Sequence, residues 1–106
     1  MSQASKIDVL IVDDHPIFRM GLSGLLNQLP FIGAIEEAEN GHEAIQKIAK
    51  KKPGIVLLDI EMPVMNGLAT LQELRRIYRE KLKVVILSMS SHERHLVEMY
   101  DNGADG

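Results

Sequence analysis

The chain contains no cysteine, which excludes disulfides, thiolate metal sites and cysteine nucleophiles. Long hydrophobic runs are also missing. The longest are four residues, far below the ~18 that a membrane-crossing helix needs. The opening Met1-Ser2-Gln3-Ala4-Ser5-Lys6 has no apolar stretch of signal-peptide length. With 8 glycines and 4 prolines in 106 residues, collagen-like and proline-rich disordered chains are excluded. Neither half is basic: residues 1–53 hold 6 basic and 7 acidic groups, residues 54–106 hold 6 and 8, and the net charge is −3. Without a basic half this chain by itself is not expected to bind DNA. No glycine-rich phosphate loop of either common pattern occurs. A cytoplasmic protein with no membrane contact is the expectation.

What is present is an ordinary globular composition, 45% apolar and 25% charged, enough for one domain with one core. Three apolar runs reach four residues: Val9-Leu10-Ile11-Val12, Ile55-Val56-Leu57-Leu58 and Val84-Val85-Ile86-Leu87. Rich in β-branched residues and too short for helices, they read as buried parallel strands. Ile32 to Ala38 is a weaker fourth strand. Helical patterns lie between them. Pro16 suits a first turn, Phe18, Leu22, Leu25 and Leu29 follow helical spacing, and Pro30 stops the run. Asn40 with Glu43 resembles a capping box ahead of the Ala44, Ile45, Ile48, Ala49 stripe, which ends in Lys50–Lys52 and Pro53. Asn66 can cap a helix bearing Leu68, Leu71, Leu74 and Ile77. Ser90 with Glu93 makes a second capping box before Leu96, Met99 and Tyr100, and Gly103 is a helix stop. Strict strand–helix alternation predicts an α/β domain with a parallel sheet and helices on both faces. The final Gly-Ala-Asp-Gly reads as the lead-in to a further strand.

Ligands of an open parallel sheet bind beyond the carboxyl ends of its strands, where the strand order reverses. Asp13 and Asp14 follow the first apolar run, Asp59 the second and Ser88 the third. If the strands bearing Asp13 and Asp59 are neighbours, three carboxylates converge, and like charges held close raise each other's pKa. A hard dication such as Mg²⁺ resolves that conflict, leaving one carboxylate as a candidate nucleophile for phosphoryl chemistry. Asp13 and Asp14 can also be read simply as a strand end followed by a helix cap. An Asp closing an all-apolar strand is harder to explain that way. His15 either lines the acidic pocket or caps the helix. Pro63 and Gly67 read as shaping the loop after Asp59, and Met62 and Met65 as packing within it.

Taken together, Val9-Leu10-Ile11-Val12-Asp13-Asp14-His15-Pro16, the stretch from Leu57 through Asp59-Ile60-Glu61-Met62-Pro63 to Asn66-Gly67, and Leu87-Ser88 resemble the receiver domain of two-component response regulators. The segment Asp13 to Leu22 is similar to the NarL/FixJ subfamily. The resemblance covers essentially the whole chain. It implies a flavodoxin-like doubly wound sheet of order 2-1-3-4-5, with the fifth strand and last helix missing from residues 1–106. It further implies Asp59 as phosphoryl acceptor, Mg²⁺ or Mn²⁺ on Asp13, Asp14, Asp59 and the backbone carbonyl of Glu61, and Ser88 as the switch hydroxyl. The implied phosphodonor is a sensor histidine kinase. Dimerisation on phosphorylation and a DNA-binding helix-turn-helix domain in a longer parent protein follow from the same likeness. The only catalysis implied is self-phosphorylation and slow autodephosphorylation. The family's lysine after the fifth strand, and its aromatic switch residue on that strand, fall beyond residue 106.

Two other readings share some of these features. A Mg²⁺-dependent aspartyl-phosphate phosphatase wants an Asp-x-Asp after the first strand, where this chain has Asp13-Asp14-His15. A receiver-like interaction module working without phosphorylation needs no carboxylate set at all.

Overall fold

In the computed structural model residues 6–60, 62, 65–87 and 93–106 are described, with only the backbone for 93–96. All four strands form: β1 (Ile7–Val12), β2 (Ile32–Ala38), β3 (Ile55–Asp59) and β4 (Lys83–Leu87). They make one parallel sheet in the order β2-β1-β3-β4, as expected for the first four strands. Beyond β4, the Asp105 N–H donates to the Val84 carbonyl (2.8 Å) and the Ile86 N–H to the Gly106 carbonyl (2.7 Å). The final residues therefore already lie along β4, where the sequence places a strand lead-in.

Among the described residues, three helices connect the strands, α1 (Pro16–Leu26), α2 (Gly41–Lys50) and α3 (Gly67–Tyr78), with a 3₁₀ turn at Arg79–Lys81, and α4 (Glu93–Asp101) follows β4. Both asparagine caps form. Asn40 Oδ1 accepts from the Glu43 N–H (2.8 Å) and Asn66 Oδ1 from the Ala69 N–H (2.9 Å), each satisfying a donor the helix cannot. The Glu43 carboxylate is 3.6 Å from Lys47 Nζ, one turn on. Ser90 of the expected Ser90–Glu93 capping box falls outside the described residues. Among the described residues, no helix is long and apolar enough to cross a membrane.

Strand alternation splits the core into two unequal sides. Leu10, Val12, Val56, Leu58 and Val84 pack with Ala44 and Ile48 of α2, Leu71 and Leu74 of α3 and Met99 of α4. Met62 joins this cluster, so its role is packing, as expected. On the other side Val9 and Ile11 are buried, while Ile55, Leu57 and Val85 are only half-covered. An open cleft of about 560 Å³ lies there, lined by Ile7, Ile55 and Leu57 together with Leu26, Leu29 and Phe31.

The helix facing that cleft departs from its expected stripe. α1 stops at Leu26, and Leu29 closes a turn onto the Leu26 carbonyl instead, because a residue before proline is disfavoured in helical geometry. Leu25 is 65% exposed. The half-buried face is Phe18, Arg19, Leu22, Ser23 and Leu26, rotated toward Arg19. The cause is polar: the Arg19 guanidinium reaches the end of the sheet and bonds to both Asp13 and Glu37.

Candidate functional site

β1 and β3 are direct neighbours, with Val12 opposite Leu58. The next residue on each strand is an aspartate, so Asp13 and Asp59 emerge side by side at the carboxyl edge. β2 lies on one flank of this pair and β4 on the other, making this the point where the strand order reverses. Asp13 is 1% exposed and Asp59 6% exposed. Asp14 follows on the loop into α1, its side chain about a third exposed.

One ligand atom from each of Asp13, Asp14, His15 and Asp59 lies within 4.8 Å of all the others. The three predicted carboxylates do converge, and His15 joins them. Its backbone N–H and its Nδ1 both meet Asp13 Oδ1, at 2.8 and 2.7 Å. Nδ1 also lies 3.1 Å from Asp14 Oδ1. That distance is an ion-pair approach without hydrogen-bond alignment, since Asp14 Oδ1 is buried and has no hydrogen-bond partner. The Asp13 hydrogen bond first, and then the charges of Asp14 and Asp13, hold the exposed His15 imidazole above its ordinary pKa. Each of these interactions favours its protonated form.

The donor set fits a hard divalent cation. Its three carboxylates, one with an oxygen buried without a hydrogen bond, lie in a space small enough for one ion to touch several. Glu61, expected to offer its carbonyl, and Ser88, expected as the switch hydroxyl, both lie outside the described residues.

Close backbone approach shapes the loop after Asp59. The Gly67 N–H donates to the Ile60 carbonyl (2.8 Å). The cap residue Asn66 also accepts the Thr70 hydroxyl on its carbonyl (2.8 Å). Thr70 is fully buried beneath Gly41, where α2 and α3 touch.

Sequence reading missed Arg19. Its Nη1 donates to the Asp13 carbonyl at 2.5 Å and its Nε to Glu37 Oε1 at 2.9 Å. Nothing in a helix-stripe pattern marks a charged residue that points inward, so only its place one turn after the acidic pair was available as a signal.

The description of the response regulator receiver domain matches residues 9–106, and the chain belongs to that family. It is similar to the nitrate/nitrite response regulator protein NarL of Escherichia coli strain K12, at 39% identity over 106 residues, covering all of this chain and 49% of that protein. It is also similar to protein-glutamate methylesterase/protein-glutamine glutaminase 1 of Carboxydothermus hydrogenoformans, at 41% identity over 94% of this chain and 29% of that one. Among solved structures it resembles a LuxR-family two-component response regulator from Aurantimonas sp. SI85-9A1. The TM-score there is 0.88 at 26% identity, covering 96% of this chain and 72% of the other. The NarL/FixJ likeness read from Asp13 to Leu22 agrees with these relatives. The chain spans half or less of the length of these curated relatives. The esterase activity named for the second therefore stays with that protein.

Proposed function

We propose that this chain is a phosphorylation-driven switch of a two-component system, with Asp59 as the phosphoryl acceptor. The observation that carries this reading is the burial of Asp59 at the end of β3 within ligand distance of Asp13, Asp14 and His15. A carboxylate oxygen of Asp59 attacks phosphorus, one P–O bond forms, and the bond from phosphorus to the donor breaks. The donor is a phosphohistidine of a sensor kinase, or a small acyl phosphate in its place. Catalysis by the chain itself goes no further than this transfer and the slow hydrolysis of its product.

Asp13, Asp14 and Asp59, with the Glu61 carbonyl, are the proposed holders of Mg²⁺ or Mn²⁺. Such an ion supplies charge neutralisation for the phosphoryl oxygens. Asp13 holds its place through its own backbone: its N–H donates to the Ala38 carbonyl at 3.0 Å and its carbonyl accepts from Arg19. Ser88 is the proposed hydroxyl that donates to the acquired phosphoryl group and passes the change onward. The wider proposal is a cytoplasmic, longer protein in which residues 1–106 form the receiver. A helix-turn-helix part binds DNA, and phosphorylation favours a homodimer. A longer protein is supported by the NarL and LuxR-family relatives, of which this chain covers 49% and 72%.

The test is intact mass after acetyl phosphate and Mg²⁺. One phosphoryl mass should be gained, and Asp59→Asn should abolish it. Equal labelling of the Asn variant would remove Asp59 from this role. No labelling of the parent would favour a module that works without phosphate.

A further inference from the structure

Arg19, on α1, has a side chain that reaches back to the start of the acidic loop. Its guanidinium donates through Nη1 to the Asp13 carbonyl (2.5 Å) and through Nε to Glu37 Oε1 (2.9 Å), and its side chain is 15% exposed. Glu37 is itself fixed, because its carbonyl accepts Lys47 Nζ from α2 on the opposite side of the sheet. Arg19 is thus tied to β2, which is tied to α2, before it touches the site.

We infer that Arg19 is a positioning residue for the divalent cation, acting through the Asp13–Asp14 peptide. This rests on the reading of Asp13, Asp14 and Asp59 as the cation's ligands. The carbonyl that Arg19 holds belongs to the peptide joining Asp13 to Asp14. A peptide unit is planar from one Cα to the next, so fixing its oxygen fixes the direction in which Asp14 leaves. The peptide before Asp13 is fixed too, by the Asp13 N–H on the Ala38 carbonyl (3.0 Å). Both peptides flanking Asp13 are therefore anchored without the metal, so less of the backbone at Asp13 remains to be ordered when it binds. Preorganisation of this kind raises affinity by lowering the ordering cost. Removing a group that orients a metal ligand typically weakens binding about 10- to 100-fold.

Charge and position predict opposite signs. Arg19 is a cation beside a cation site, so by Coulomb's law alone its removal should tighten binding. If Arg19 positions the loop, its removal should loosen binding. Lysine keeps the charge but not the fork that spans Asp13 and Glu37.

The experiment is calorimetric titration of the purified protein with MgCl₂, repeated with MnCl₂, for the parent, Arg19→Gln and Arg19→Lys. Thermal unfolding confirms that each variant is folded at the titration temperature. A loss of about tenfold in Arg19→Gln, with a loss also in Arg19→Lys, is the expected result. If Arg19→Gln does not fold, Arg19→Lys decides alone. Unchanged or tighter binding in a folded variant overturns the positioning role, even where its melting temperature falls. A parent that binds neither ion overturns the metal reading itself, and this inference with it. That failure is distinct, because it is seen without any substitution.

Discussion

Gly67 and Asp59 are packed so closely that a side chain at 67 has nowhere to go. A Cβ there would lie 2.3 Å from the Asp59 carbonyl oxygen and 2.7 Å from Ile60 Cα. Both are backbone atoms of the strand end that presents the proposed acceptor, so neither can swing aside. Gly67→Ala should destabilise the fold by about 1–3 kcal/mol, as overpacking does, and should slow labelling by acetyl phosphate in whatever fraction stays folded. Urea unfolding reads the first effect and timed mass spectra the second. An unchanged midpoint with an unchanged labelling rate would show that the loop yields freely.

The acidic cluster makes a prediction about stability without metal. Asp13, Asp14 and Asp59 crowd together, with His15 beside them as a counter-charge when it is protonated. Asp13→Asn with Asp14→Asn should raise the melting temperature in chelator while weakening Mg²⁺ binding. His15→Ala should lower the melting temperature in chelator and enlarge the rise that Mg²⁺ produces. Parallel melting curves in chelator and in Mg²⁺ check both. Unaltered melting in all of them would mean that the carboxylates repel one another little.

At the other end of β4 the order comes from Arg75. Its Nε donates to the Gly103 carbonyl (2.8 Å), its Nη1 to the Arg79 and Leu82 carbonyls (2.6 Å each), and its Nη2 to Asp105 Oδ2 (2.8 Å). Lysine cannot span this set. Arg75→Lys should therefore cost about 1 kcal/mol, mostly at the part-buried Leu82 carbonyl, read by denaturant unfolding. Arg79 has a positive φ of 55°, and losing the bond that holds its carbonyl should loosen that turn.

Asp105 gives this corner a pH dependence. Burial alone would raise its pKa. The Val84 N–H and Arg75 outweigh burial and hold it below the ordinary aspartate value of 3.8. A group depressed on folding stabilises the fold fully above its unfolded pKa, and that contribution is lost as pH falls through the folded one. Stability should thus be flat in this respect at neutral pH and fall below about 4. Asp105→Asn should flatten the acid limb of a plot of unfolding midpoint against pH. An identical limb in the variant would assign the acid loss to other carboxylates.

For Ser88, Ser88→Ala should leave acetyl phosphate labelling of Asp59 in place while removing phosphorylation-dependent dimerisation in a full-length parent. A ligand shifts an equilibrium only through groups that contact it differently in the two states. Sedimentation with and without acetyl phosphate checks this. Normal dimerisation of the variant would take the coupling role from Ser88.

The sheet was legible because its strands are short, apolar and β-branched, and because alternation with helices leaves few topologies. Even β2, with only Ile35 and Ala38 named as its apolar members, forms over the expected Ile32–Ala38. The convergence of Asp13, Asp14 and Asp59 was legible in part: the carboxylates stand at the ends of two apolar runs, while the adjacency of those two strands came from the family resemblance and not from the pattern. The face of α1 was less legible. Spacing selects a stripe of leucines, but hydrogen bonds from Arg19 to two strand ends turn the helix, leaving Leu25 exposed. Close approaches such as that of Gly41 to Thr70, where a Cβ at 41 would lie 1.9 Å from the hydroxyl oxygen, depend on contacts between elements. No local pattern encodes them.

No residue of α1 is buried, whereas α2 and α3 supply Ala44, Ile48, Leu71 and Leu74 to the core. Native-state amide exchange should divide accordingly. Amides of α2 and α3 should exchange only through near-global opening, and those of α1 through cheaper local excursions. Of these three helices, α1 is the one that starts directly after the acidic loop. A cation bound there should slow exchange along α1 well before it changes the slowest amides of the sheet, turning a static contact into a difference in lifetime.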